Sequence, residues 1–223
     1  MDLSSARRQG RKGLSESEVK SLLRSRGVKT TDFRVPERRE LESLDVKFPV
    51  AVKVCSPDIL HKTELGGVFL NVKDRKEMIA RYDEIKSKFP KASVLIEPME
   101  KPGIEVIIGL FKDPNFGLSM MFGMGGVLTE LYKDVSFRLV PISRLDADEM
   151  VSEIKAERVF RGFRGMIADR DALLELLVEV SSLGNEVRDH INQLDLNPVF
   201  VRDADCVVVD AKLILEPSWS LPR

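Results

Sequence analysis

The chain has 223 residues, of which 43% are hydrophobic and 32% charged, enough apolar sequence to bury a core in one domain or two lobes. Its 35 Lys and Arg stand against 36 Asp and Glu, a formal charge of −1, so no overall field recruits nucleic acid or an anionic membrane. No apolar run approaches the ~20 residues that span a bilayer, and the basic N-terminus (Arg7, Arg8, Arg11, Lys12) lacks the apolar segment of a secretory signal. Cys55 and Cys206 each sit in a Val-rich run and read as buried thiols of a reducing compartment, which makes a cytoplasmic protein the expectation. Two cysteines and two histidines at these distances form no zinc pattern.

Residues 1–13 are polar, basic and aperiodic, and are expected to be disordered. In Leu14-Ser15-Glu16-Ser17-Glu18-Val19, Ser15 and Glu18 form a capping box and Leu14 and Val19 a hydrophobic staple, which predicts a helix start. Val19, Leu22 and Leu23 mark its buried face, and Gly27 is placed to end it. The charged residues 34–46 read as a linker. Val50-Ala51-Val52-Lys53-Val54 is a strand with a lysine in its middle, stopped by Ser56-Pro57. A polar loop follows, carries His61, closes on Gly66-Gly67 and re-enters a strand at Val68. Asp74 and Glu77 form a second capping pair before a helical stripe of Met78, Ile79, Tyr82, Ile85 and Phe89, ended by Pro90.

Strands are predicted over residues 93–99 and 104–111, separated by Lys101-Pro102-Gly103, and over 118–122 after the turn signal Lys112-Asp113-Pro114-Asn115. Gly123-Met124-Gly125-Gly126 precedes strands at 127–131 and 135–140. From Asp146 onward helices dominate. Met150, Val151 and Ile154 suit one; Leu173, Leu174, Leu176, Leu177, Val180 and Leu183 suit a longer one that starts at 169–171 and ends at Gly184. A closing hairpin pairs 191–201 with 206–215 across a turn at 202–205, and 217–223 form a tail. Mixed strands and helices with several hairpins predict an α+β fold rather than a doubly wound parallel sheet.

Several groups could carry chemistry. A four-residue turn at 202–205 pairs Val201 with Cys206, which sets Asn197 opposite Asp210 and Asp195 on the side of Asn197. Hard oxygen donors on adjacent strands suit magnesium; the alternative is a strand end with an exposed Asp210. Lys53, in a strand buried on both faces, needs an anionic partner, unless the strand lies at an edge and the amine snorkels to water. The Gly123–Gly126 run is a candidate phosphate loop or a tight turn, and Lys133, Asp134 and Arg138 beside it are anion-reaching or merely solvated charges. Glu97 and Glu105 flank the Lys101-Pro102-Gly103 turn, where a carboxylate accepts ribose hydroxyls or is a plain surface charge. His61 is a candidate phosphoryl-accepting nucleophile or an exposed loop residue, and His190 reads as structural.

The order of Val-Lys-Val (52–54), Ser-Pro-Asp-Ile-Leu-His-Lys-Thr-Glu-Leu-Gly-Gly-Val (56–68), Val-Leu-Ile-Glu-Pro-Met (94–99), Gly-Ile-Glu-Val-Ile-Ile-Gly (103–109), Phe-Gly-Met-Gly-Gly-Val (122–127), Lys-Asp-Val-Ser-Phe-Arg (133–138) and Leu-Asp-Leu-Asn-Pro-Val-Phe-Val (194–201) resembles the ATP-grasp (beta) portion of ADP-forming acyl-CoA synthetases, typically acetyl-CoA synthetase, relatives of succinyl-CoA synthetase. The resemblance covers about residues 14–215. It implies an ATP-grasp fold of two α+β lobes with a nucleotide cleft between them. The expected division is 1–13 disordered, 14–46 helix and linker, 47–115 first lobe, 116–216 second lobe and 217–223 tail.

The resemblance also implies roles by position. Lys53 contacts ATP phosphates and Gly66-Gly67 belong to a phosphate-covering loop. Glu97, Pro98 and Met99 lie at the adenine hinge, Glu105 lies near the ribose, and Asn197 and Asp210 hold Mg2+. His61 takes the phosphoryl group. The implied activity is that of an acid–thiol ligase (acetate–CoA ligase, ADP-forming), acyl-CoA + ADP + phosphate ⇌ acid + CoA + ATP. The chain has no dinucleotide fingerprint and too few residues for a CoA-binding domain, so a separate CoA-binding alpha subunit is the expected partner. Another ATP-grasp ligase joining a carboxylate to an amine, or a non-catalytic nucleotide-binding interaction subunit, remain the alternatives.

Overall fold

A computed structural model describes residues 3–59, 61–126, 134–162 and 168–217. They fall into two compact units. The smaller comprises Ser15–Glu18 and Thr31–Lys101; the larger takes the described residues of Met1–Leu14, Val19–Thr30 and Pro102–Arg223.

In the smaller unit, β2 (Val50–Cys55) lies between β3 (Val68–Val72) and β4 (Ser93–Pro98), all antiparallel. Helix α3 (Arg75–Lys88) starts on the predicted cap, where the Asp74 side chain accepts from the Glu77 N–H. Its buried Met78, Tyr82 and Ile85 meet Val50, Val52, Val54 and Ile96 from one face of the sheet. The period of two turns Ala51, Lys53 and Cys55 to the other face, and these are buried as well. The stretch 34–46 is more than a linker. Arg34 exchanges both backbone hydrogen bonds with Ile96 at 2.8 Å, Arg38–Glu40 form a 3-10 turn, and Leu41 is fully buried in the core.

The larger unit carries a sheet in the order β1-β10-β8-β5-β6-β7, with β9 added on β8. Its strands are β1 (Gly13–Leu14), β5 (Ile104–Asp113), β6 (Gly117–Met124), β7 (Val135–Leu139), β8 (Ile191–Val201), β9 (Cys206–Val208) and β10 (Ala211–Leu215). Helix α2 (Glu16–Arg24) begins in the smaller unit and continues in this one. Helices α4 (Arg144–Glu153) and α5 (Arg170–Glu186) supply Met150, Leu173, Leu177 and Val180 to a core shared with Val106, Ile108, Leu110, Leu194 and Leu196. Both helices are capped, by Ser143 and Asp169.

Three further expectations need correction. The N-terminal segment is not disordered over its described part: α1 (Leu3–Arg8) buries Leu3 and Ala6 in the core. Arg7 donates to the carbonyls of Asp189, Glu216 and Pro217 at 2.6–3.1 Å, distant in sequence and invisible to local composition. The boundary between the units falls at 101/102 rather than 115/116, because β5 pairs with β6 and β8. Gly184 lies inside α5 instead of ending it; a Cβ there would stand 2.5 Å from Leu110 Cδ1, so the glycine permits close helix–sheet packing. The strand expected at 127–131, Lys133, Leu60 and residues 218–223 of the tail lie outside the described residues.

Candidate functional site

Lys53 sits in the middle strand of its sheet and is 3% exposed, so the reading of an edge strand with a snorkelling amine does not hold. The amine meets Glu97 Oε1 at 2.6 Å and Glu16 Oε1 at 3.1 Å. Ala51 and Glu97 are cross-strand partners, which puts the Glu97 carboxylate diagonal to Lys53 on the same face. Glu16 arrives from the first turn of α2, and its other oxygen accepts from Lys62. Glu97 Oε2 accepts from Thr31 Oγ1, and Cys55 Sγ contacts Ser17 Oγ at 3.4 Å. Removing an ammonium from water costs several kcal/mol, and here internal carboxylates offset that cost. The residues expected at a hinge are also engaged: Pro98 pairs with Val50, and the Met99 N–H donates to the Pro49 carbonyl at 2.9 Å.

The loop after β2 is closed by its own backbone. Leu65 N–H donates to His61 O at 3.1 Å, Gly66 N–H to Thr63 O at 2.9 Å and Gly67 N–H to Lys62 O at 2.7 Å. Gly66 has φ +64°, and a Cβ on Gly67 would lie 2.5 Å from Val54 Cγ1, so the turn needs both glycines. In this conformation their N–H groups bond within the loop, which differs from the expectation that they point at a phosphate. His61 is exposed, with Nδ1 3.6 Å from Glu64 Oε1.

In the larger unit the hairpin register is the predicted one. Val201 pairs with Cys206, Val199 with Val208, and Leu196 with Ala211; between them Asn197 N–H donates to Asp210 O at 3.2 Å. The second strand is interrupted at Val209-Asp210, opposite Pro198. Asn197 is exposed and Asp210 half-buried. Burial pushes the Asp195 carboxyl above its ordinary range; Lys212 opposes the shift and the charge of Asp210 adds to it. Oxygen donors of this kind suit a hard cation. Among the described residues no group of three or more His, Cys, Asp and Glu side chains stands ready to hold a metal.

Glu105 is the second residue of β5, is exposed, and lies against the glycine run: Gly125 N–H donates to its carbonyl at 2.7 Å. A Cβ on Gly126 (φ +75°) would be 3.2 Å from Glu105 Oε2. Arg138 pairs with Glu153 and Glu149, and Asp134 accepts from the Lys155 and Ala156 N–H groups, so both charges have structural partners. His190 Nδ1 lies 3.3 Å from Arg7 Nη1.

Glu16 is the residue that sequence reasoning missed. Its signal was present: Glu16, Val19, Lys20 and Leu23 share the i, i+3, i+4, i+7 stripe of α2, and all four are buried. An acid on a buried stripe needs a cationic partner.

The sequence matches the model of the ATP-grasp domain over residues 5–215. It is 42% identical over 226 residues to the Pyrococcus furiosus acetate–CoA ligase [ADP-forming] II subunit beta, covering 93% of this chain and 94% of that one. It is also 42% identical over 208 residues to the Archaeoglobus fulgidus acetate–CoA ligase [ADP-forming] II, covering 91% of this chain and 30% of that longer protein. Among solved structures it superposes with TM-score 0.83 and 40% identity on the Ca. Korarchaeum cryptofilum dinucleotide-forming acetyl-coenzyme A synthetase 1, covering 96% and 98% of the two chains. That complex holds coenzyme A and Mg-AMPPCP, with its phosphohistidine segment pointing towards the nucleotide binding site. The α+β fold and the family expected from the sequence are borne out: the chain belongs to the ATP-grasp family, among the relatives of the beta subunit of ADP-forming acetate–CoA ligase.

Proposed function

We propose that this chain is the nucleotide-binding subunit of an ADP-forming acyl-CoA synthetase, an acid–thiol ligase of the acetate–CoA type, and that it carries phosphoryl transfer between ATP or ADP and His61. The observation that carries the reading is the exposure of His61 on a loop that leaves directly from the strand of Lys53. An imidazole that must take a phosphoryl group from a nucleotide and pass it to a second protein has to be accessible.

In the proposed step a ring nitrogen of His61 attacks the γ-phosphorus of ATP. The N–P bond forms as the bond to the β-bridging oxygen breaks, ADP leaves, and the imidazole loses a proton. Lys53 is assigned to the ATP phosphates, Gly66 and Gly67 to the loop over them, Glu97, Pro98 and Met99 to the adenine hinge, and Glu105 to the ribose. Asn197 and Asp210 are assigned to Mg2+, which would offset charge on the phosphates when bound. Catalysis of this type rests mainly on positioning and electrostatics.

The full reaction needs CoA, for which we assign a CoA-binding alpha subunit as partner. Two features of the relatives support this: one is named a subunit beta, and the matched part of another is 30% of a longer protein. Cys55 and Cys206 are free and buried, which supports a reducing compartment, and we place the chain in the cytoplasm. Incubation with γ-labelled ATP and Mg2+ tests the role of His61: wild type becomes labelled and His61→Ala does not. Equal label on the variant overturns it. The engagement of Lys53 by two carboxylates favours one rival, a subunit that binds no nucleotide productively, and absence of heat on titration with Mg-ATP would establish that reading.

A further inference from the structure

Resting on that reading, we propose that Glu16 is a positioning residue: one buried carboxylate clamps both the lysine assigned to the nucleotide and the loop that carries the histidine. Glu16 Oε1 holds Lys53 Nζ at 3.1 Å, and Oε2 accepts from Lys62, the residue after His61. All three belong to the smaller unit, and Glu16 is 6% exposed. Lys62 is also inside the loop's own bonding, since its carbonyl accepts from Gly67 N–H, and Gly67 O in turn accepts from Val54 N–H at 2.7 Å. The clamp therefore reaches from α2 through Lys62 to the base of the loop.

The consequence follows from competition. A polyphosphate that takes the Lys53 amine must draw it from Glu16 and Glu97, so the carboxylates lower nucleotide affinity in the resting state. The same Glu16 restrains the histidine loop, so its two effects separate on mutation. A residue needed only for folding would weaken nucleotide binding when replaced; a clamp strengthens it.

The test uses the full chain with three variants, Glu16→Gln, Lys62→Met and the double variant, each checked for native circular dichroism. Hydrogen exchange of residues 61–67 without nucleotide should rise about tenfold in both single variants and no further in the double variant, because both delete one pair. The Kd for Mg-ATP should tighten about three- to tenfold in Glu16→Gln, where Lys53 loses a competitor, and should not tighten in Lys62→Met, where Glu16 still holds Lys53. Unchanged loop exchange in Glu16→Gln, additive effects in the double variant, or a weaker Kd in Glu16→Gln overturns the proposal. The two levels fail separately. If wild type binds no Mg-ATP, the nucleotide assignment falls while the exchange data still decide the loop clamp; if wild type binds and labels His61 but loop exchange is insensitive to Glu16→Gln, only the clamp falls.

Discussion

The two compact units treat their candidate site residues in opposite ways. In the smaller, Lys53 is 3% exposed, stands in a central strand and is neutralised by Glu16 and Glu97. In the larger, Asn197 and Asp210 lie where a hairpin strand is interrupted, one exposed and the other half-buried, joined through the backbone. A ligand of Lys53 has to displace internal partners, whereas a cation at Asn197 and Asp210 meets side chains at least partly open to water. Stability and binding are thus entangled in one unit and separable in the other.

Lys53→Met should break the protein hardest. It leaves two buried carboxylates without that cation, at about 3–5 kcal/mol, and should abolish labelling of His61. A urea midpoint equal to wild type would show that the carboxylates do not depend on the lysine, and the contrast between the units would fail.

A smaller effect is expected where charges of the larger unit pair at the surface. Arg202 and Lys29 hold the Asp205 carboxyl down at about 2, against an ordinary value of 3.8. A depressed carboxylate stabilises the fold above its unfolded pKa and loses that contribution as pH falls through the folded one. Wild type should therefore exceed Asp205→Asn in urea stability by about 1 kcal/mol or less from neutral pH down to about 4, with the difference gone by about pH 2. A gap that persists at pH 2 would contradict this.

The smallest effect on stability, with a large one on activity, belongs to Asp210→Asn. Its unfolding free energy should stay within about 0.5 kcal/mol of wild type while Mg2+-dependent labelling of His61 falls about a hundredfold. Loss of both together would place Asp210 in the same entangled class as Lys53.

Local patterns carried far in this sequence where the determining contacts were near. Asp74 and Ser15 announced helix starts, and a four-residue turn with period-two pairing set Asn197 opposite Asp210. What escaped was decided at long range. Arg7 is fixed by carbonyls about the far end of the chain, and Gly184 is a packing glycine only because Leu110 approaches it. The partners of Lys53 come from α2 and β4, so the need for an anion was legible but its identity was not. The glycine pair of the histidine loop was read through its N–H groups, while its steric need against Val54 depends on a neighbouring strand.

Glu16 and Lys53 share one compact unit, yet residues 19–30 of the other unit lie between them in sequence. A fragment such as 31–101 would carry Lys53 and Glu97 without the third member of the cluster. A continuous fragment that keeps the cluster, residues 15–101, carries residues 19–30 of the other unit with it and strips Val19, Leu22 and Leu23 of the core they pack in; a version without them would need residues 15–18 supplied in trans as a peptide.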